Sequence, residues 1–542
     1  VKLTRSGLSL ILLIALTACG SSEGTSGEVS GKASGGGSLT WAIETQPITF
    51  NPQLWAQNKA RLLVFNQFDA LVARGADGGF VPWLAKSWKI SADRLTYTFE
   101  LRDDVTFHDG TRFDAAAAKA NLDQFLVPGY NPAVAAIQLH AFDRAEVVSP
   151  TTLKITLNEP DGLFLDFLSS PLGGQVSPKS LKSAKDLKAG GADVVGTGPF
   201  ILDRYVQGQE VHYRRNPAYH WAPEGAAHQG PAYLSEVTYR FLSEAAVRVG
   251  ALTSGQVQVI EGVPATEVAL VKADPGLTFQ SALNSGTSFS YYFNASRPPF
   301  DDERVRRAFR EAVDLDTVLA SVYRGTATRA WSVVARTSPF YDPSLEKTYG
   351  GDAAKANALL DAAGWTTRDA EGYRVKDGKR LTARTVASAP FVRDRRDILA
   401  QAIQAQVKQT AGIDFQVKIV DQGTAQKALD DNEYEVFENS RGDSDVGAAL
   451  NLILPEGAAI NRTRFHDPET EKLLARASAS SDTAERKKLY GQVQRAVVSD
   501  HAIVFPIYVP ADQIAARATV QGLGFDPVAG TPRSAYDVRV GT

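Results

Sequence analysis

The hydrophobic period of this chain changes partway along it, and that change limits the folds open to it. Before about Phe300, apolar residues alternate with polar ones over short runs. Tyr97, Phe99 and Leu101 are interleaved with Thr96, Thr98 and Glu100; Leu153, Ile155 and Leu157 with Lys154 and Thr156; Val237, Tyr239 and Phe241 with Thr238 and Arg240. A period of two means half-buried strands. Beyond Phe300 the spacing lengthens to every fourth residue, at Val305, Phe309 and Val313, at Leu399, Ile403 and Val407, and at Leu489, Val493 and Val497. That is the pattern of amphipathic helices. Gly364 after Leu359-Leu360 and Gly412 after Val407 stand where helices stop, and a strand-like run, Phe415 to Ile419, lies between helical stretches. The pattern predicts an α/β fold.

Size and charge narrow the functions. At 542 residues the chain is long enough for about three to four domain-sized units, and 44% apolar residues with 22% charged ones supply large cores. Lys and Arg number 58 against 61 Asp and Glu, a net charge of −3, which argues against a nucleic-acid partner bound through a basic face. A single cysteine excludes an intramolecular disulfide, and with no methionine the chain lacks the soft donors of a thiolate or thioether metal site.

The first residues follow a processing logic rather than a folding one. Lys2 and Arg5 precede an apolar run from Leu8 to Leu16, and Leu16-Thr17-Ala18-Cys19-Gly20 follows. The run is too short for a permanent membrane span. It resembles the bacterial lipoprotein signal, which implies a signal peptide over 1–18 and lipidation of Cys19. Residues 19–38 are nearly all small or polar and read as a flexible tether with a reach of roughly 25 Å. No later apolar stretch attains the ~18–20 residues of a spanning helix.

Catalytic motifs are missing. There is no Gly-x-Ser-x-Gly elbow, no phosphate-binding glycine loop with Lys-Ser/Thr and no His-Glu-x-x-His. One Ser-x-x-Lys, Ser344 to Lys347, lacks its companion motifs. His212, His220 and His228 are spaced by eight, which puts no two on adjacent turns of one helix, so no metal site is assigned to them. Arg441-Gly442-Asp443 has the form of an adhesion tripeptide, a match that long chains produce by chance. Binding is favoured over catalysis, with no enzyme activity and no cofactor expected.

From Ala85 onward a series of blocks carries a resemblance. Ala85, Asp93, Thr96-Tyr97, Phe99, Leu101-Arg102, Asp104 and Phe107-His108-Asp109-Gly110 are followed, in order, by Val195 to Phe200, Asn216-Pro217, and Asn294 with Pro298 to Asp302. Val305 to Ala308, Ala312 to Asp314 and Leu359 to Trp365 continue the series, while Phe50-Asn51-Pro52 and Pro82 to Ala85 precede or open it. Together they resemble the peptide/nickel family (family 5) of ABC-importer solute-binding proteins, over Leu39 to Tyr508.

The resemblance implies an α/β, two-lobed periplasmic-binding-protein-like fold of the large type II class, with a hinge and a ligand cleft between lobes. Domain I would comprise 39–75, 196–295 and a C-terminal return over 511–542. A strand-rich domain II would occupy 76–195, and domain III, the second lobe, 296–510. The protein would be an extracytoplasmic monomer, anchored to the membrane through Cys19 in a periplasm or on a Gram-positive surface, with an ABC permease and ATPase as partners.

Several residues are candidates for the ligand site. Arg393, Arg395 and Arg396 cluster where the helix carrying Leu399 begins, and a carboxylate would satisfy both those cations and the helix end. Of these, Arg393 and Arg396 are taken as ligand-binding. Asp443, after Ser440-Arg441-Gly442, resembles the Trp-x-Gly-Asp segment whose Asp pairs with a peptide's α-amino group in dipeptide-binding relatives. Here the Trp position is Ser440, and Asp445-Val446 replaces the Asp-Pro that usually follows. Trp55 resembles an aromatic at the pocket edge, and Thr197, between Gly196 and Gly198, offers a hydroxyl. Core packing, solvated charges and a structural turn are the competing readings of the same residues. Three functions remain open: an importer's receptor for a peptide or peptide-like solute, a receptor for a nickel or other metal chelate or another non-peptide solute, and a surface enzyme or adhesin on a borrowed scaffold.

Overall fold

The computed structural model describes residues 36–54, 61–130, 135, 138–183, 187–389 and 392–541. Residues 1–18, Cys19, the stretch to Gly35, and Trp55 lie outside the described residues, so the expectations placed on them gain no structural account.

Two large sheets carry the architecture. The first has seven strands in the order Leu277–Leu283, Ala511–Arg517, Val259–Glu261, Ser38–Ile43, Glu236–Phe241, Glu210–Arg215 and Phe200–Val206. The second has six: Thr328–Arg329, Val504–Val509, Thr287–Phe293, Val436–Arg441, Thr382–Ser388 and Asp414–Val420. A four-stranded antiparallel sheet, Ala85–Ile90, Thr96–Leu101, Thr152–Leu157 and Phe142–Ser149, packs into the same core as the first. It contains two of the alternating runs, and Tyr97, Phe99, Leu101, Leu153, Ile155 and Leu157 all point inward and are buried.

In the second sheet the strand Thr287–Phe293 is buried at every position. It lies between two other strands with both faces covered, which abolishes alternation. Its neighbours include a parallel unit in which Thr382–Ser388 pairs with Asp414–Val420 and with Val436–Arg441. The 16-residue helix Arg396–Ala411 makes the first crossover and Gln422–Asp430 the second. Leu399, Ile403 and Val407 form the long helix's buried stripe, and Gly412 ends it in the left-handed region at φ 69°. Leu489 and Val493 lie on the helix Thr483–Arg495, and Val497 falls in the π-helical turn Ala496–Asp500 that continues it.

The chain passes between the two sheets twice, at 284–286 and at Pro510, and the passages lie side by side: the Asn284 N–H donates to the Pro510 carbonyl at 2.8 Å. Entry to the second sheet therefore comes at Thr287, ahead of position 296, because Thr287–Phe293 already pairs with strands of that sheet. Gly286 makes the entry possible. Its φ is 85°, and a Cβ there would come within 2.3 Å of the Arg441 carbonyl oxygen.

Candidate functional site

Where the two passages meet the second sheet, a cavity of about 390 Å³ opens beyond the carboxyl ends of the parallel strands Thr382–Ser388 and Val436–Arg441. Open α/β sheets hold ligands in this place, because loops and helix starts diverge there. Strand ends Val386 to Ser388 and Phe437 to Gly442 form one wall, Arg393, Asp394 and Arg396 another, and Asn284 with Pro510 to Asp512 bring in the passages between sheets. A second cavity of about 150 Å³ adjoins it, sharing Asp394 and Ala511. That one lies between Glu44, Arg248 and Gly262 to Ala265 on the first lobe's side and Tyr323, Arg395 and Tyr508 on the other. The two cavities lie side by side where the lobes meet.

The arginine cluster separates by role. Arg396 is buried: its Nε donates to the Tyr508 hydroxyl at 3.1 Å, its Nη2 to Ser440 Oγ at 3.2 Å, and its guanidinium lies 4.2 Å from the Phe289 ring centre. Burial opposes its charge, yet Tyr508, Asp394 and Glu438 together hold its pKa above the usual arginine value. Arg393 is looser. Its closest ionic neighbour is Asp394 at 3.8 Å, and its Nε is buried with no hydrogen-bond partner among the described residues. Asp394 and Arg395 both adopt left-handed backbone, at φ 54° and 58°, immediately before the helix. This kink sends Arg393 and Arg396 to the larger cavity and Arg395 to the smaller.

Ser440 lines the cavity, but its hydroxyl already accepts from Arg396. Asp443 does not line it. Its carboxylate is held in a two-point pair by Arg441, at 2.9 and 3.2 Å, while its carbonyl accepts from Ser285 Oγ at 2.8 Å. The expected free carboxylate at 443 is thus neutralised by the neighbouring side chain. The same pairing leaves the Arg441 and Asp443 side chains only 18% and 9% exposed, which is unlike a protruding adhesion loop.

Thr197 is a correction. It is wholly buried, and its hydroxyl donates to Asp69 Oδ2 at 2.9 Å beside the Trp221 indole N–H. The turn's hydroxyl is consumed by the core, so it offers nothing to a ligand. The three spaced histidines also have separate surroundings: His212 faces Thr238, His220 faces Asp104, and His228 stacks on Tyr233 and Tyr536. Among the described residues no three His, Cys, Asp or Glu side chains stand close enough to share a metal ion.

Sequence reasoning missed Glu438, Ser388 and Asp394, all of which line the larger cavity. The signal for Glu438 was present. Val436, Glu438 and Ser440 fall on one face of a strand, and a carboxylate between two inward positions is out of pattern. Burial raises the Glu438 pKa, with the nearby Arg396 opposing.

A family model described as "Bacterial extracellular solute-binding proteins, family 5 Middle" matches residues 79–455. The glutathione-binding protein GsiB of Escherichia coli O1:K1 / APEC is 29% identical over 425 residues, covering 76% of this chain and 77% of GsiB. Among solved structures, NikA from Brucella suis in complex with Fe(III)-EDTA aligns with a TM-score of 0.82 at 25% identity, over 93% of this chain and 100% of NikA. DppA from Helicobacter pylori, in complex with peptide STSA, aligns with a TM-score of 0.79 at 21% identity, over 94% of this chain and 99% of DppA.

Proposed function

The chain belongs to the bacterial extracellular solute-binding proteins of family 5, and on that premise we propose that it captures a peptide or peptide-like solute between its lobes and delivers it to an ABC permease and ATPase. The observation that carries the substrate class is the charge of the larger cavity. Arg393 and Arg396 face it together with Asp394 and Glu438, so cations and carboxylates line the same space. Such a wall suits a solute bearing both signs better than a wholly anionic chelate, which would meet three carboxylates, those of Asp394, Glu438 and Asp512. A volume of about 390 Å³ is at the small end of ligand pockets, in keeping with a short peptide or an amino-acid conjugate. The glutathione named for the E. coli relative is in line with this reading.

Arg393 is the group assigned to the solute's carboxylate, because its Nε–H is buried with no hydrogen-bond partner among the described residues, whereas Arg396 is already bonded to Tyr508 and Ser440. Lipidation of Cys19 would anchor the receptor, with residues 19–38 as its tether. We read the protein as a monomeric receptor without catalytic activity of its own.

A thermal-shift screen of the full chain against dipeptides, tripeptides, longer peptides, amino-acid conjugates and metal chelates tests the proposal. A ligand at 100 times its Kd should stabilise the protein by about 2.7 kcal/mol. Stabilisation by short peptides or conjugates is the expected result. A response confined to chelates would remove the peptide reading and leave the transport role.

A further inference from the structure

The cavity's acids differ in how their charge is compensated. Asp394 lies 3.8 Å from Arg393 and 3.9 Å from Arg396. Asp512 accepts from the Asn284 side-chain amide at 3.1 Å. Asp443 sits outside the lining and is taken by Arg441. Glu438 lines the cavity and has no hydrogen bond or ion pair from its side chain among the described residues.

Its placement in the strand is fixed by register. Glu438 pairs with the wholly buried Tyr291 on one side, and on its own strand it shares a face with the wholly buried Val436 and with Ser440. That face is turned to Arg396, whose Nη2 reaches Ser440. Arg396 influences Glu438 electrostatically, while the hydrogen bonds its side chain makes run to Tyr508 and Ser440. A partly buried carboxylate costs free energy unless something cationic or hydrogen-bonding meets it. Here the open side is the cavity, where Ser388 Oγ is also buried without a partner among the described residues.

We infer that Glu438, and not Asp443, receives a protonated amine of the solute while Arg393 receives its carboxylate, so the receptor selects solutes carrying both charges. This rests on the peptide-like reading and assigns its amine-binding group. The selection works by leaving a charge unmet. An N-blocked solute would fill the cavity yet leave Glu438 buried and unpaired, and the site would reject it.

The test uses the full chain, a panel of short peptides with free amino termini, their N-acetyl counterparts, and nickel–histidine as a chelate probe, with affinities from calorimetric titration. Free-amine peptides should bind and N-acetyl forms should bind at least about tenfold more weakly. Glu438→Gln should lose about tenfold or more for the free-amine peptide and little for the acetylated one, while Asp443→Asn stays within about threefold. Without ligand, Glu438→Gln should melt close to the parent temperature, since it breaks no hydrogen bond or ion pair among the described residues; a purely structural Glu438 would instead lower it. Equal binding of acetylated and free peptides, or a loss on Asp443→Asn in place of Glu438→Gln, overturns the inference and keeps the peptide reading. Binding of nickel–histidine with no peptide bound overturns both.

Discussion

At the scale of single residues, the buried turn Gly196 to Gly198 is held from two sides by groups that titrate. Asp69 is wholly buried and accepts from Thr197 Oγ1, Trp221 Nε1 and Tyr219 Oη at 2.9, 2.9 and 3.3 Å. Burial pushes its pKa up from 3.8 to about 7, against the downward pull of those three donors. His108 is the opposite case: burial pulls it from 6.5 down to about 4, although its Nε2–H donates to the Gly198 carbonyl at 2.9 Å. The signs follow from linkage. Asp69 stabilises fully below pH 4 and loses that contribution as pH rises through 7. His108 stabilises fully above pH 6.5 and loses its contribution as pH falls through 4. The two slopes oppose each other over the same window. Asp69→Asn retains an acceptor for Thr197 and Trp221 and gains a donor toward Tyr219. Its stability relative to the parent chain should therefore rise between pH 4 and 7, by at most about 1.4 kcal/mol per pH unit, in urea unfolding at closely spaced pH values. A difference that stays flat with pH would mean Asp69 is not protonated in the fold.

At the scale of elements, the helix Arg396–Ala411 joins the sequence pattern to the site. Its buried stripe, Leu399, Ile403 and Val407, was legible from spacing alone, and so was its stop. Gly412 has φ 69°, and a Cβ there would meet Arg368 Nη1 at 2.3 Å and the Gly372 carbonyl oxygen at 2.8 Å. Gly412→Ala should cost about 1–2 kcal/mol for the left-handed backbone, plus the displacement of Arg368, measurable as a lower urea midpoint with unchanged slope. The start of the helix was not legible in the same way. Composition places three arginines there, but the consecutive left-handed residues Asp394 and Arg395 decide which cavity each one faces. The competing reading of a solvated cluster fails for Arg396, which is buried against Phe289 and Tyr508.

At the scale of the whole molecule, the two lobes touch at a backbone-to-backbone contact beyond the cavity. The Gly162 N–H donates to the Ser478 carbonyl at 2.9 Å, and a Cβ at 162 would lie 2.4 Å from the Ser480 carbonyl oxygen. Phe164 next to it belongs to the first core and Ala477 to the second. Charges stand behind this contact: Asp161 of the first lobe feels Asp445 and its partner Arg486, which pair at 2.7 Å, and Asp166 feels Asp445. A side chain at 162 would oppose closure without disturbing either core. Gly162→Ala should weaken solute binding by roughly five- to hundredfold, the equivalent of about 1–3 kcal/mol of overpacking, while the ligand-free melting temperature holds. Unchanged affinity would mean that the bound state does not use this contact.

The sequence by itself determined the element types and the inward-facing residues, because strand and helix periods and glycine stops depend on near neighbours along the chain. The α/β reading came from that local information, and the receptor class from the ordered blocks that resemble the family 5 solute-binding proteins. Tertiary structure alone decided which charged groups face the cleft. Asp443 looked available until Arg441 folded back on it, Thr197 looked able to offer a hydroxyl until Asp69 claimed it, and Glu438 reaches the cavity wall beside Arg396 only through its strand register. Whether a side chain is spent or free depends on partners as distant as residues 69 and 197, or 396 and 508, and spacing along the sequence does not encode those distances.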